Sequence, residues 1–463
     1  MAKPFDKVAL DGFGCARRVT VRPLVLIAMC LAVLIAQVDT SVVNLSTHAI
    51  GAAFGAGVAP LQWVLDAYNL VYAVLLLSGG LVADLYGRRR AFTIGTIVMA
   101  GGSLICAFAP NIGVLIAGRA VTGMAAALLL PSSLAIIRVV WPEPAPRGRV
   151  LGIWASCNGL AFAIGPTLGG VLIEAFGWRS VFLLAVPLAS AAFLLAKIAV
   201  PESANPQGRH LDMQGQILGA LALGGVALAA IAAHQGGWLW IAALCVAVIA
   251  SPLFLGVERK RGRAALVPLD LFRVGAFSGG IVATAAMTFG IYGMIFLLPL
   301  IWQSDDHLTP REAGLALLSL SLAFFLISTQ SGRLSERVGA RLMITIGTGL
   351  IGCGSLVVAA TKAGTPMAVA QMGLTMAGIG MGLNTGPLYG VAIGSVGQER
   401  SGTASALINV ARMAGATLGV ALLGSVFALL HGGTAGLRAA LLVGGIVQLG
   451  GAMAAFALCD PAD

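Results

Sequence analysis

Charge is scarce in this sequence. Only 10% of its 463 residues are Asp, Glu, Lys or Arg, against roughly 25% in a soluble domain. That scarcity excludes an ordinary water-soluble fold, and no soluble segment of useful size interrupts it. There is no Gly-x-x-x-x-Gly-Lys-Ser/Thr loop to cradle nucleotide phosphates, so nucleotide as an energy source is excluded. The seven cysteines, at 15, 30, 106, 157, 245, 353 and 459, are scattered without metal-ligand spacing. They read as small core or lipid-facing residues. No nucleophile–base or metal constellation is present. The expectation is therefore no enzyme, no cofactor and no metal. A cleavable signal peptide is also missing: residues 1–22 are polar and basic, and the first apolar run is long enough to span.

Hydrophobic residues, by contrast, make up 58% of the chain. Apolar runs long enough to cross a bilayer, at about 20 residues each, fall near 23–47, 61–83, 92–109, 112–135, 150–174, 180–199, 214–234, 238–256, 276–302, 313–331, 342–360, 366–394, 403–430 and 437–458. The prediction is an all-α polytopic membrane protein with fourteen transmembrane helices. With the N-terminus in the cytoplasm, 22 of the 28 Lys and Arg fall in cytoplasmic segments. The opposite topology inverts that ratio, so both termini are expected to be cytoplasmic. The net charge of +10 then reflects positive loops facing the cytoplasm, not a nucleic-acid partner. Trp63, Trp178, Trp238, Trp240 and Trp302 are expected at the outer interface as an aromatic belt.

Residues 79–90 organise the rest. An apolar run ends in Gly80-x-x-x-Asp84-x-x-Gly87, and Arg88, Arg89 and Arg90 follow. The arginines cannot sit in hydrocarbon and mark where a helix emerges. Gly80 and Gly87 allow close approach and a tight turn. Asp84 is placed to cap a helix or pair with an arginine, as a latch between two moving halves requires. The stretch resembles the loop 2–3 signature of the major facilitator superfamily of transporters. A copy follows at an offset of 252: Gly332, Glu336, Gly339 and Arg341. Gly148…Gly152…Gly165…Gly170 likewise aligns with Gly402…Ala406…Gly419…Gly424 at an offset of 254. Two similar offsets imply duplicated six-helix halves. The expected plan is a cytoplasmic tail over 1–22, a six-helix bundle over 23–199, and a linker over 200–275 that carries two extra helices (214–234 and 238–256). A second bundle follows over 276–458, then a tail over 459–463.

Further motifs extend the resemblance. Helix 5 carries Gly159 and then Gly165-Pro166-x-x-Gly169-Gly170, similar to the superfamily's antiporter motif. The resemblance implies a seal against leak; tight helix packing is the other reading. Helix 1 reads Asp39-Thr40-Ser-Val-Val-Asn44, which resembles the signature of the fourteen-helix drug/proton antiporters, the quaternary-ammonium and antibiotic exporters. It departs from that signature where the family's proline is replaced within Ser46–Ala49. An aspartate in a membrane costs about 2.5–3.5 kcal/mol on the insertion scale and is functional by default. Helix 2 opens Trp63-Val-Leu-Asp66-Ala-Tyr68. Asp66 is a second acidic site for a proton or cation, or an interfacial aspartate solvated from outside. Helix 4 carries Arg119. Taking the predicted helix ends, Asp39 and Arg119 both lie about 10 Å below the outer surface. They can therefore meet, either to poise Asp39 between proton and substrate or as a static pair.

Asn409 and Arg412 share a face of the helix over 403–430, and Arg412 aligns with Asn158 in the repeat. The substrate cavity is expected to be lined by these three with Asn44, Tyr68, Tyr292, Phe296, Asn384 and Tyr389. The resemblance implies a monomeric, proton-coupled exporter of lipophilic, cationic drugs or antibiotics in a bacterial inner membrane. Its partners are the small-molecule substrate, protons and the bilayer. The other readings are an importer or uniporter of a metabolite, and a transport-dead receptor or lipid-handling protein. The helix-1 Glu-x-x-Glu-Arg motif of fourteen-helix peptide importers is absent.

Overall fold

The computed structural model describes residues 12–204, 212–233, 236–262, 265, 267–305, 307–361, 365–396 and 401–459. Within them the chain is helical, with no β-strand among the described residues. The first seven helices are α1 (Gly12–Phe54), α2 (Val58–Tyr86), α3 (Arg88–Ala107), α4 (Ile112–Val140), α5 (Pro144–Phe176), α6 (Arg179–Leu183) and α7 (Ala185–Ala199). Then come α8 (Met213–Ala233) and α9 (Leu239–Arg261). The last seven are α10 (Gly275–Ser304), α11 (Pro310–Ala316), α12 (Leu318–Val338), α13 (Ala340–Ala359), α14 (Met367–Gly394), α15 (Ser401–Leu429) and α16 (Gly433–Leu458).

All fourteen apolar runs are helical. Twelve spans are long and apolar enough to cross a membrane, with α6–α7 and α11–α12 each counted as one. The bent α5 makes a thirteenth. Its bend, between Phe162 and Ile164, has a cause one turn later: Pro166 has no N–H for the carbonyl of residue 162. The remaining run, α14, has 28 residues, enough to span. Seven glycines dilute its hydropathy.

Local chemistry sets the helix ends. Asn111 accepts from Val114 N–H at 3.0 Å and starts α4. Thr309 and Glu312 form a reciprocal capping box at the start of α11. Gly87 and Gly339, at φ +110° and +90°, turn the chain between α2 and α3 and between α12 and α13. The loop 2–3 motif and its copy thus form the same turn twice.

Without a hydrophobic drive inside a bilayer, packing depends on small residues that let backbones touch. On the α2–α4 contact, a Cβ at Gly123 would lie 2.5 Å from the Tyr68 carbonyl oxygen, and one at Gly79 would collide with the Ala127 carbonyl. α1–α7 pack chiefly on one another, and so do α10–α16. The two groups meet along α2–α15, α5–α11, α5–α12 and α1–α10. The surplus pair is attached through α8, which packs on α2 and α15. The Gln216 carboxamide of α8 bonds Ser78 and the Val74 carbonyl of α2. Ser425 of α15 donates to the Ala230 carbonyl at 2.6 Å. α9 packs on α8 and exposes Ile241, Leu244, Val248, Ile249 and Leu253.

Two expectations are revised. Helix 1 continues unbroken past Ser46–Ala49 to Phe54, since no proline interrupts it. Asp39 therefore lies roughly 22 Å from the end of α1, at 1.5 Å per residue. Trp178 and Trp302 are not belt residues: both are buried, Trp178 edge-on to Phe54 at 5.4 Å and stacked under Arg179 at 4.3 Å. Of the terminal tails, residues 1–11 and 460–463 lie outside the described residues, and from Gly12 the chain is already helical.

Gly79→Ala is expected to destabilise the protein by about 1–3 kcal/mol through overpacking. Gly101→Ala, with nothing within 4 Å of its Cβ position, should be neutral or slightly stabilising. Thermal unfolding of both variants in detergent checks the contrast.

Candidate functional site

Asp39 and Arg119 meet in the interior of the first helix group. Both side chains are 1% exposed, with Arg119 Nη1 at 2.5 Å from Asp39 Oδ2. Arg119 Nε donates to the Val64 carbonyl at 3.0 Å, and its guanidinium lies 4.6 Å from the Tyr68 ring centroid. The pair thus joins α1, α2 and α4. The desolvation cost of two such charges is offset only if their hydrogen-bonding groups are occupied. Asp39 Oδ1 remains without a partner. Other polar groups of α1 turn back onto their own helix: Thr40 donates to the Ala36 carbonyl at 2.9 Å and Asn44 to the Thr40 carbonyl at 2.7 Å. Tyr68 is buried and donates to the Ala36 carbonyl at 3.3 Å.

The helix-5 motif serves two contacts. Gly165 and Gly169 lie against Ser41 and Val42 of α1. Gly170 lies against the Pro310 carbonyl and Arg311, and Gly314 of α11 against the Pro166 carbonyl. Gly159 faces Phe325 of α12. About one and a half turns of α5, from Gly165 to Gly170, therefore join it both to its own group and to the other one.

A second polar stripe lies on α2 where it meets α15. Gln62, Asp66 and Asn69 are 0%, 0% and 2% exposed. Gln62 Nε2 donates to the carbonyls of Val420 and Ala421 at 2.9 and 2.8 Å. Neither oxygen of Asp66 has a hydrogen-bond partner, and the same holds for Asn69 Oδ1 and Thr417 Oγ1. α2 and α15 run antiparallel. One turn along α2 from Gln62 and one turn back from Ala421 bring Asp66 and Thr417 to the same level. Asp66 is therefore part of a dry seam between the two helix groups, not a solvated residue of a vestibule. Gln303 Nε2 crosses the seam again to the Leu45 carbonyl at 3.1 Å.

A third cluster surrounds Arg412, partly exposed on α15. Tyr72, Tyr292 and Tyr389 lie within electrostatic reach of it. Tyr389 donates to Asn409 Oδ1 at 2.9 Å, and Asn409 donates to the Ser405 carbonyl at 3.0 Å. Of the residues expected around one cavity, Tyr292, Tyr389, Asn409 and Arg412 come together. Asn44 and Tyr68 belong to the ion-pair region. Phe296 is fully buried against Gly424 in the seam. Asn384 departs from the expectation: it is fully buried between α13 and α14, 3.0 Å from Thr348 Oγ1. The Asn158 side chain lies outside the described residues. Tyr72 belongs to no motif; its only signal is its place one turn after Tyr68.

At the loop 2–3 turn, Arg88 binds Asp84 at 2.8 Å within the same turn. Gly80 lies against Pro131. The turn is held by residues 200–203, just after α7. Arg88 N–H donates to the Ser203 carbonyl at 2.8 Å and Arg89 N–H to Glu202 Oε1 at 3.0 Å. Arg89 Nη1 donates to the Val200 carbonyl at 3.3 Å. Glu202 thus supplies the anion at the start of α3, a role that no motif announced. In the copy, Gly332 and Glu336 are exposed, and Arg341 donates to the Phe456 carbonyl at 2.7 Å and covers the Phe456 ring.

Twelve to thirteen helices long and apolar enough to span, a buried Asp39–Arg119 pair within them, and two helix groups meeting along a polar seam define a polytopic membrane protein. The chain belongs to the Major Facilitator Superfamily, whose model matches residues 29–420. Membership makes it a transporter of small molecules, not an enzyme. It is 35% identical over 408 residues to the multidrug resistance protein Stp of Mycobacterium tuberculosis, covering 88% of this chain and 76% of that one. Over 436 residues it is 31% identical to the methylenomycin A resistance protein of Streptomyces coelicolor, covering 93% and 91%. The multidrug efflux pump LfrA of Mycolicibacterium smegmatis is 30% identical over 423 residues, covering 90% and 83%. A peptide transporter POT in complex with sulfate superposes with a TM-score of 0.71 over 93% of each chain, at 14% identity. That likeness concerns the fold alone.

Removing one partner of a buried ion pair typically costs about 3–5 kcal/mol, whereas an apolar replacement of both is nearly neutral. Asp39→Leu and Arg119→Met singly should each lower stability by that order, and the double variant should recover most of the loss. Unfolding midpoints of the four proteins test the coupling.

Proposed function

We propose that the chain is a proton-coupled antiporter that exports drugs or antibiotics across a bacterial inner membrane by alternating access. It works as a monomer, with the face carrying Arg88–Arg90 and both termini in the cytoplasm. The moving bodies are residues 23–199 and 276–458, and residues 200–275 are an insert between them.

The observation that carries this reading is the position of the seam. Its hydrogen bonds, from Gln62 and Gln303, and the glycine contacts of α5 with α11 all lie toward the face opposite the arginines. Among the described residues, no packing seam joins α4 or α5 to α14 or α15. The state is therefore closed outward and open inward. Asp66 lies in the closed seam, and covering an unpaired carboxylate is costly. Closure accordingly goes with a proton on Asp66, which reaches external water when the seam opens. Asp39 is the second proton site, with Arg119 as the group that competes for it. Differential stability of the two states under protonation is what coupling requires. The relatives named for multidrug efflux and for methylenomycin A resistance support export as the direction. At the cytoplasmic face, Asp84 and Arg88 of the loop 2–3 turn form a latch that breaks and re-forms in each cycle, with the turn at Gly332, Glu336, Gly339 and Arg341 as its weaker counterpart.

Asp39→Asn keeps an acceptor oxygen for Arg119 and should fold, yet lose export driven by a proton gradient. Proteoliposomes with an imposed pH gradient and a trapped pH indicator read this directly: substrate-triggered proton movement is expected for the native protein and none for Asp39→Asn. Undiminished coupling in the variant would remove Asp39 from the mechanism, and substrate flux without proton movement would make the protein a uniporter. Arg88→Ala combined with Arg89→Ala should slow turnover several-fold with little change in substrate affinity; a loss confined to affinity would contradict the latch.

A further inference from the structure

The two acids that would welcome a cation are both out of reach in this state. Asp39 is neutralised by Arg119 at 2.5 Å, with each side chain 1% exposed. Asp66 is fully buried in the α2–α15 seam. The charged group that remains partly exposed at mid-membrane is Arg412. α15 begins at Ser401, which places Arg412 roughly 16 Å along the helix from its cytoplasmic end. No carboxylate pairs with Arg412 among the described residues. Its Nε is buried without a hydrogen-bond partner. Tyr72, Tyr292 and Tyr389, from α2, α10 and α14, are within electrostatic reach of it. Tyr389 is held in place by its bond to Asn409.

A guanidinium cannot shed its charge, and it presents a planar fork that suits a carboxylate or phosphate bidentately. An uncompensated cation in a membrane interior is costly and is retained where a ligand or a water-filled path uses it. Of the three rings, Tyr389 is partly exposed and offers flat apolar surface to the rest of the ligand, while Tyr72 and Tyr292 are buried. We propose that Arg412 and its three tyrosines form the substrate-binding site, and that the substrate class is an aromatic or otherwise flat organic anion, such as a carboxylate or phenolate. The proposal rests on the exporter reading and replaces the cationic substrate that the helix-1 and helix-2 resemblances imply. An anion also suits the cycle: it neutralises Arg412 in the inward state without competing for Asp39 or Asp66, so the proton and the substrate occupy separate sites and communicate through the seam.

The test uses the full-length protein in detergent or proteoliposomes without any gradient, so that binding is read independently of transport. Three probes are titrated: 2-naphthoate, its neutral amide 2-naphthamide, and the cation ethidium. The native protein should bind 2-naphthoate at least roughly 10-fold more tightly than 2-naphthamide, the scale expected for a charged hydrogen-bonded contact. Arg412→Gln should erase that difference while leaving 2-naphthamide binding within about twofold, and Arg412→Lys should retain part of it. Tighter binding of ethidium than of 2-naphthoate would overturn the proposal, as would an undiminished preference for 2-naphthoate over 2-naphthamide in Arg412→Gln. A second arm, flux under a pH gradient, separates the two readings. Anion binding without gradient-driven flux would sink the antiporter and leave the anion site standing; gradient-driven ethidium export without naphthoate binding would do the reverse.

Discussion

A charge inside a bilayer must be partnered, neutralised or used. Asp39 and Arg119 are partnered and tie α1, α2 and α4 into one body. Asp66 has no partner and is covered by the closing of one helix group on the other. Arg412 is neither paired with a carboxylate among the described residues nor fully covered. These are three different environments for a charge, and the remaining helices hold the three groups at their separate places.

Glycine is what makes that arrangement possible. The carbonyl of Tyr68 approaches Gly123, and the Pro310 and Pro166 carbonyls approach Gly170 and Gly314. Backbones in contact leave little room for continuous deformation, so a change of state proceeds by separating whole faces. The α5 motif lies at one such face. Its glycines join α1 permanently to α5 within one group, and Gly170 joins α5 to α11 across the groups. Packing within one group and contact across the groups are made by neighbouring glycines of the same motif.

Much of the architecture was legible because hydrocarbon allows few choices. Runs of apolar residues became helices, and the two copies of Gly-x-x-x-Asp/Glu-x-x-Gly became equivalent turns with positive-φ glycines. The Asp39–Arg119 contact was anticipated because both residues are too costly to leave alone at one depth. Side-chain direction was not legible. Asn384 has the same composition signal as Asn409, yet one faces Thr348 inside the α13–α14 packing and the other holds Tyr389. Only the rotation of each helix about its axis decides between them, and a glycine-rich helix such as α14 has no amphipathic stripe to reveal that rotation. Glu202 was invisible for another reason: its partner turn is more than 100 residues away in sequence.

The surplus helices have an energetic role that their lipid-facing position disguises. α8 follows α2 closely, bonded to it through Gln216, and also reaches α15 through the Ser425–Ala230 bond near the closed face. In the proposed cycle, an opening in which α8 stays with α2 would take the acceptors of Ser425 and Gln62 away together. A neutral hydrogen bond is worth about 1 kcal/mol net, which is several-fold in a two-state population. In the proposed cycle the insertion therefore acts as ballast, weighting one arrangement of the two helix groups without a hydrogen bond to Asp39, Asp66 or Arg412 among the described residues.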